Sequence, residues 1–277
     1  MTCKNCGHEL LLESDYCNKC GAKVIRKRLT IKNLLQHLGE TFFNYDNKLF
    51  TTIAHLLRKP EAVIDSYVSG VRKRYINPIS FFGISLTLTG FVIFIIRKFY
   101  KESLDASAIF GNSEMYSDAT SQQILADSSN FSLDYSSLIY SAMIPAFALI
   151  SWVIFLNKRY NYTEHLVLYM YSMSLYSICS GVIGLIVLLL NSSLYLTFGT
   201  IMYPIALFYH CFLLKRLFNL STKALILKTI LFLFMFAILF VVASLIFGAI
   251  YFLIMYLNGD LQQMIESKKS VSLALSL

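Results

Sequence analysis

Apolar residues along this chain follow two rhythms. From Ile76 onward they form nearly unbroken runs, whereas before it they recur at intervals of three and four. About 20 consecutive apolar residues in helical form span the hydrocarbon core of a bilayer, so the long runs predict membrane crossings. Five are predicted: 76–96, closed by Arg97 and Lys98; 136–156, followed by Lys158 and Arg159; 166–190; 194–214, ended by Lys215 and Arg216; and 229–257. The fifth exceeds one crossing and is expected to tilt or to extend beyond the bilayer. No turn or charge interrupts it before Asn258, which argues against dividing it.

The three-and-four rhythm occupies an amphipathic linker, 24–75. Ile31, Leu34, Leu35, Leu38 and Phe42 keep helical spacing, and Leu49, Ile53, Leu56 and Leu57 repeat it, which predicts two helices broken near 44–47. Two placements stay open. The helices lie among headgroups, with Lys32, Lys48, Arg58 and Lys59 toward lipid, or they pack as a pair on the ends of the spans. Pro60 suits a first helical turn, where its missing N–H costs nothing.

Composition strengthens the membrane reading. The chain is 56% hydrophobic and 14% charged, with a mean hydropathy of +0.60, far from the soluble average. Its Cys-, Lys- and Asn-rich beginning predicts no cleavable signal peptide. Charge then predicts orientation. Residues 1–75 carry 13 Lys/Arg against 7 Asp/Glu, a net +6, with Arg72, Lys73 and Arg74 at the membrane entry. By the positive-inside rule this end is cytoplasmic. The segment 97–135 opens with Arg97, Lys98 and Lys101, but from Glu102 to Asp134 it holds six acids and no Lys or Arg, as an exported loop would. Five spans then place the N-terminus inside and the C-terminus, with its tail 258–277, outside the cell (inner) membrane.

The candidate chemistry lies at the front of the chain. Cys3, Cys6, Cys17 and Cys20 form two CxxC pairs ten residues apart, each followed by glycine, Gly7 and Gly21. A CxxC turn sets two thiolates on one side of an ion, and two such turns complete a tetrahedral zinc shell. Residues 1–23 are therefore predicted to be a zinc ribbon folded by structural Zn2+. Disulfides or a redox CxxC are the rival, and the βαβ context of redox motifs is not visible. Four cysteines close the shell, so His8 is a surface residue and hydrolytic chemistry lacks an open position. A reducing cytoplasm suits zinc thiolates and agrees with the charge argument. Cys179 and Cys211 fall in apolar runs and read as small buried hydrophobes.

The CxNCG…YCxxCG ribbon is followed by Leu57-Arg58-Lys59-Pro60, Ile64, Tyr67, Gly70, Arg72, Tyr75 and Pro78-Ile79-Ser80-Phe81-Phe82. Over roughly residues 1–95 this resembles an uncharacterised family of bacterial multispan membrane proteins with an N-terminal zinc ribbon. The resemblance implies the architecture and assigns no catalytic residue.

No Asp or Glu falls within the five predicted spans, although ion-coupled transporters usually keep an ionisable group there. His165 at the mouth of the third span and His210 near the end of the fourth are the nearest exceptions. His165, Tyr169, Ser172, Tyr176, Ser180 and Gly184 share one face of the third span, while Ser177/Gly181 and Ser180/Gly184 are small-xxx-small pairs. A helix-packing face and the lining of a polar cavity are the two readings. Pro145 and Pro204 should kink the second and fourth spans. No nucleotide, zinc-protease or Ser/His/Asp motif is present.

The expectation is an all-α polytopic membrane protein with about five transmembrane helices in 76–257 and a small cytoplasmic ribbon. Membrane lipid and a cytoplasmic protein are the expected partners. Anionic lipid explains the basic flanks better than nucleic acid does. A noncatalytic scaffold or regulatory component leads, and a permease for a small molecule through a neutral polar path is the alternative.

Overall fold

The computed structural model describes residues 2–11, 14–22, 24, 48–100, 128, 130, 131 and 133–258. The first predicted linker helix and most of the predicted loop 97–135 and of the predicted tail 258–277 lie outside them. The chain forms two compact units, Met1–Phe50 and Thr51–Leu277. Among the described residues there is no strand; the first unit contributes one isolated antiparallel bridge, Thr2 with Glu9.

The second unit is helical. α1 covers residues 48–58 and α2 covers Pro60–Val68. Five longer helices follow: α3 (Pro78–Phe99), α4 (Ser136–Ile154), α5 (Tyr162–Leu190), α6 (Leu194–Phe218) and α7 (Thr222–Asn258). All five are long and apolar enough to cross a membrane, α7 over Thr222–Ala249.

Local chemistry sets their ends. Pro60 and Pro78 occupy first turns, and Asn77 caps α3 by accepting from the Ser80 N–H at 2.7 Å. After α2, Gly70 turns at φ 102° and the Val71 N–H reaches back to Ser66 O at 2.8 Å, satisfying an end carbonyl. α5 opens with a reciprocal capping box between Asn161 and Glu164. That explains how a carboxylate stands in the first turn of a spanning helix: it bonds a backbone N–H at the water-facing end. α6 closes through Asn219 in the left-handed region, with the Leu220 N–H on Lys215 O. Pro145 and Pro204 lie inside α4 and α6.

Short connections make consecutive helices from α4 to α7 antiparallel, and α5 is the hub. It runs parallel to α3, with Thr89 Oγ1 2.8 Å from Ser177 Oγ and Leu88 against Gly181. It runs antiparallel to α4 and α6, where Phe147 meets Tyr169 and the open side of Gly184 faces Phe198 and Tyr195. Tyr169, Tyr171, Leu168 and Leu175 are buried on this helix. Along α6 and α7, large side chains such as Phe208, Ile230, Phe234 and Phe240 stand exposed. A continuous apolar exterior of this kind marks contact with lipid.

α1 and α2 pack on one end of the bundle, formed by the N-termini of α3, α5 and α7 and the C-termini of α4 and α6. Tyr209 donates to Leu56 O (3.1 Å), Arg216 pairs with Glu61 (2.6 Å), and Tyr160 donates to Asp65. Tyr171 on α5 donates to Ile76 O at 2.7 Å. Leu56, Val63 and Ile64 are fully buried. Of the two predicted linker helices only the second, α1, is described, and it packs on the ends of the spans. Tertiary burial of the apolar stripe outweighs its alternative in the headgroup layer.

Candidate metal centre and the polar residues of the bundle

The ribbon repeats one backbone motif twice. The Cys3 N–H donates to His8 O and the Gly7 N–H to Cys3 O; the Cys17 N–H donates to Ala22 O and the Gly21 N–H to Cys17 O, each at 2.8 Å. Both glycines sit at φ near +70°, Gly7 at 71° and Gly21 at 70°, a conformation that a side chain would strain. Sequence spacing thus becomes geometry: each tight turn swings its second cysteine back beside the first.

The four Sγ atoms lie within 4.8 Å of one another. Cys3 to Cys20 and Cys6 to Cys17 are both 3.7 Å. A tetrahedral centre with metal–sulfur distances of about 2.3 Å has edges of about 3.8 Å, so the spacing suits one ion among four thiolates. It is far beyond the ~2.05 Å of a disulfide, and all six cysteines of the chain are free. Cys3 and Cys17 are buried, while Cys6 and Cys20 face outward.

The acidities within the cluster diverge. Backbone N–H groups of Cys6 and Asn5 lower Cys3, and the Ala22 N–H with the Asn5 amide lowers Cys20 to about 6. Cys6 is also helped by a backbone bond, from His8, yet the neighbouring thiols Cys20, Cys17 and Cys3 push it up to about 12. Four thiolates this close repel one another, and a divalent cation is what lets all four ionise. With four ligands the shell is closed, so a bound ion would fold the ribbon and leave no position for substrate.

The polar residues of the spans divide differently from their spacing along the sequence. His165 is fully buried, its Nδ1 3.0 Å from Ser151 Oγ, among Phe155, Tyr160 and Phe218. His210 faces Ala206 O through Nδ1 (3.2 Å) and Ser172 Oγ through Nε2 (3.1 Å), with its ring stacked on Tyr169. Nδ1 donates to the Ala206 carbonyl, and Nε2 shares a hydrogen bond with the Ser172 hydroxyl, which can take either role. The stripe on α5 is largely a packing face: Tyr169 and Ser172 are buried, and Gly184 admits the α6 aromatics. Ser177 and Gly181 belong to a second face, toward α3.

Sequence reasoning missed the cations that close helix ends. Lys158 Nζ donates to Phe218 O (3.1 Å), and Lys228 Nζ to Ile154 O (2.6 Å) while standing 4.3 Å over the Phe155 ring. Each lysine closes the C-terminus of a helix remote from it in the chain, α6 for Lys158 and α4 for Lys228, so its neighbours in sequence carry no signal of the role. Tyr160 was also missed. Burial, reinforced by the Asp65 carboxylate that accepts its hydrogen bond, pushes its phenol well above the ordinary value.

Residues 2–24 match the zinc-ribbon domain, and residues 46–90 match the family described as Protein of unknown function (DUF3667). Both parts of the expected zinc-ribbon membrane family are present. The second match covers α1, α2 and the first half of α3, the segment that packs on the bundle end. No curated protein and no solved structure matches the chain. The chain thus combines a zinc-ribbon match at its cysteine cluster, a segment similar to a family of unknown function, and five helices long and apolar enough to cross a membrane.

Proposed function

We propose that the chain is a noncatalytic scaffold or regulatory component of a bacterial inner membrane, whose zinc-loaded ribbon docks a cytoplasmic protein. The observation that carries this reading is the closed four-cysteine cluster on a compact unit of its own. Thiolate ligands favour Zn2+, and a closed shell gives the ion a folding role. The ribbon displays Leu11 and Tyr16, both exposed, beside the knuckles, which suits recognition of another protein.

Orientation follows from charge. The bundle end that receives α1 and α2 carries Arg72, Lys73, Arg74, Lys158, Arg159, Lys215, Arg216, Lys223 and Lys228. At the far end, among the described residues, Arg97 is paired with Asp134 at 2.5 Å. The basic end is cytoplasmic by the positive-inside rule, which puts the N-terminus inside and the C-terminus outside.

The test compares wild type with Cys3→Ser/Cys6→Ser at matched membrane levels, reading zinc content and crosslinked partners together. A partner lost with the zinc supports docking; a partner retained by the metal-free variant defeats it. Permeation along a neutral polar path is the second reading, since Tyr169, Tyr176 and His210 border a cavity. It is carried less well, because Ser172 and His210 bond each other and aromatic rings occupy the open side of Gly184. Flux through vesicles containing Tyr176→Ala, compared with wild type, tests it.

A further inference from the structure

A cavity of about 350 Å³ lies among α4, α5, α6 and α7. Its wall is almost wholly apolar, including Met143, Phe147, Met173, Leu214, Phe232 and Phe236. Such a volume falls in the range of small-molecule sites, about 300–1,000 Å³. Along α6 it runs from Tyr203 to Leu214, about 16 Å at helical rise, so its volume is spread over a slot one hydrocarbon chain wide. The slot lies along the helix axes, as lipid tails do. Tyr203, Leu207 and Leu233 line it and are also exposed, so it opens sideways into the bilayer.

One end of the slot is basic. Lys228 forms part of the lining, and Lys158 lies at the same bundle end. Among the described residues both ammonium groups donate only to neutral oxygens: Ile154 O and Asn157 Oδ1 for Lys228, Phe218 O for Lys158. Neither forms an ion pair with a carboxylate there. Two cations without a counter-ion at the mouth of an apolar slot, at headgroup depth, complement one kind of molecule.

We propose that this slot holds one acyl chain of an anionic phospholipid from the adjoining leaflet, with the phosphate beside Lys158 and Lys228. The slot takes a single chain, and the second remains in the bilayer. Zwitterionic lipids offer the same tail without net charge, so selectivity comes from the two lysines, through attraction that anionic surfaces give to basic residues. The proposal is independent of the ribbon and its partner.

The experiment places the full chain in lipid nanodiscs containing phosphatidylglycerol with a photoreactive acyl chain, and maps adducts by mass spectrometry. Labelling at Met143 and Met173, with phosphatidylglycerol favoured over the equivalent phosphatidylcholine probe, is expected. Lys158→Gln/Lys228→Gln keeps both donors and should cut that preference about tenfold. Ala206→Phe fills the slot and leaves both lysines, and should abolish labelling at the two methionines while sparing the outer face of α7. This variant keeps the test open if the lysine pair is needed for folding. Adducts confined to outer faces, or equal labelling by both probes, would overturn the proposal. So would methionine labelling that rises when the protein is diluted to one copy per disc, since a helix of a second copy would then be the occupant.

Discussion

The ribbon and the helical bundle solve the same problem of order by opposite means. The ribbon has almost no core: its buried residues include two of the four clustered cysteines, Cys3 and Cys17. The bundle is tied by many modest contacts, centred on α5, in which no single group dominates. Small domains that cannot bury enough apolar surface depend on cross-links or metals. The comparison teaches that damage should be all-or-none in the first unit and graded in the second.

Metal removal is the sharpest way to break it, and the largest effect expected. Structural zinc contributes about 10–16 kcal/mol of apparent binding free energy in small ribbons, more than so short a segment holds otherwise. Chelation, or Cys3→Ser/Cys6→Ser, should expose backbone amides 2–22 to rapid hydrogen exchange. Exchange in α3 to α7 should stay unchanged. Acid acts in the same direction, because zinc binding releases thiol protons and weakens as pH falls. Zinc retention measured across pH should therefore decline on the acid side while the bundle persists. A ribbon that keeps its protection without metal would dissolve the contrast.

In the bundle the largest single effect belongs to Tyr169, fully enclosed and stacked between His210 and Phe232. Tyr169→Ala should cost about 3–5 kcal/mol through lost packing and the cavity left behind. The denaturant midpoint in detergent micelles measures this, with zinc content unchanged. Tyr171→Phe should cost less, about 1–3 kcal/mol, by stranding the buried Ile76 carbonyl that the hydroxyl now satisfies. A loss of protection near Thr52 and Ile76 should accompany it, since the Ile76 N–H is held by Thr52 Oγ1 at 3.2 Å.

How far these features can be read from sequence follows the range of the interaction behind them. The ribbon is legible because its ligands, turns and glycines lie within twenty residues. Span number is legible because bilayer thickness fixes a length. Which faces meet is not. The spacing from His165 to Gly184 defines a stripe on α5, yet His165 turns to Ser151, Ser172 to His210 and Gly184 to Phe198. Ser177, just outside the stripe, meets Thr89 some 88 positions away. Spacing of three and four names a face and leaves its partner unspecified. The role of Lys228 is hidden for a related reason: the Ile154 carbonyl it caps lies 74 positions away.

The smallest effect tests whether the segment matched at 46–90 is held by charge or by packing. Arg216 pairs with Glu61 at 2.6 Å, with 41% and 26% of the side chains exposed. Water and salt screen a pair this open, so Arg216→Ala should cost no more than about 1 kcal/mol. Ile64→Ala, in the fully buried stripe of α2, should cost about 2–5 kcal/mol. If the order were reversed, and high salt alone loosened α2, the pair would be electrostatically clamped and the segment a charge-operated contact. The expected order makes α2 a packed element whose attachment to the bundle comes from the apolar stripe, with the Glu61–Arg216 pair adding little.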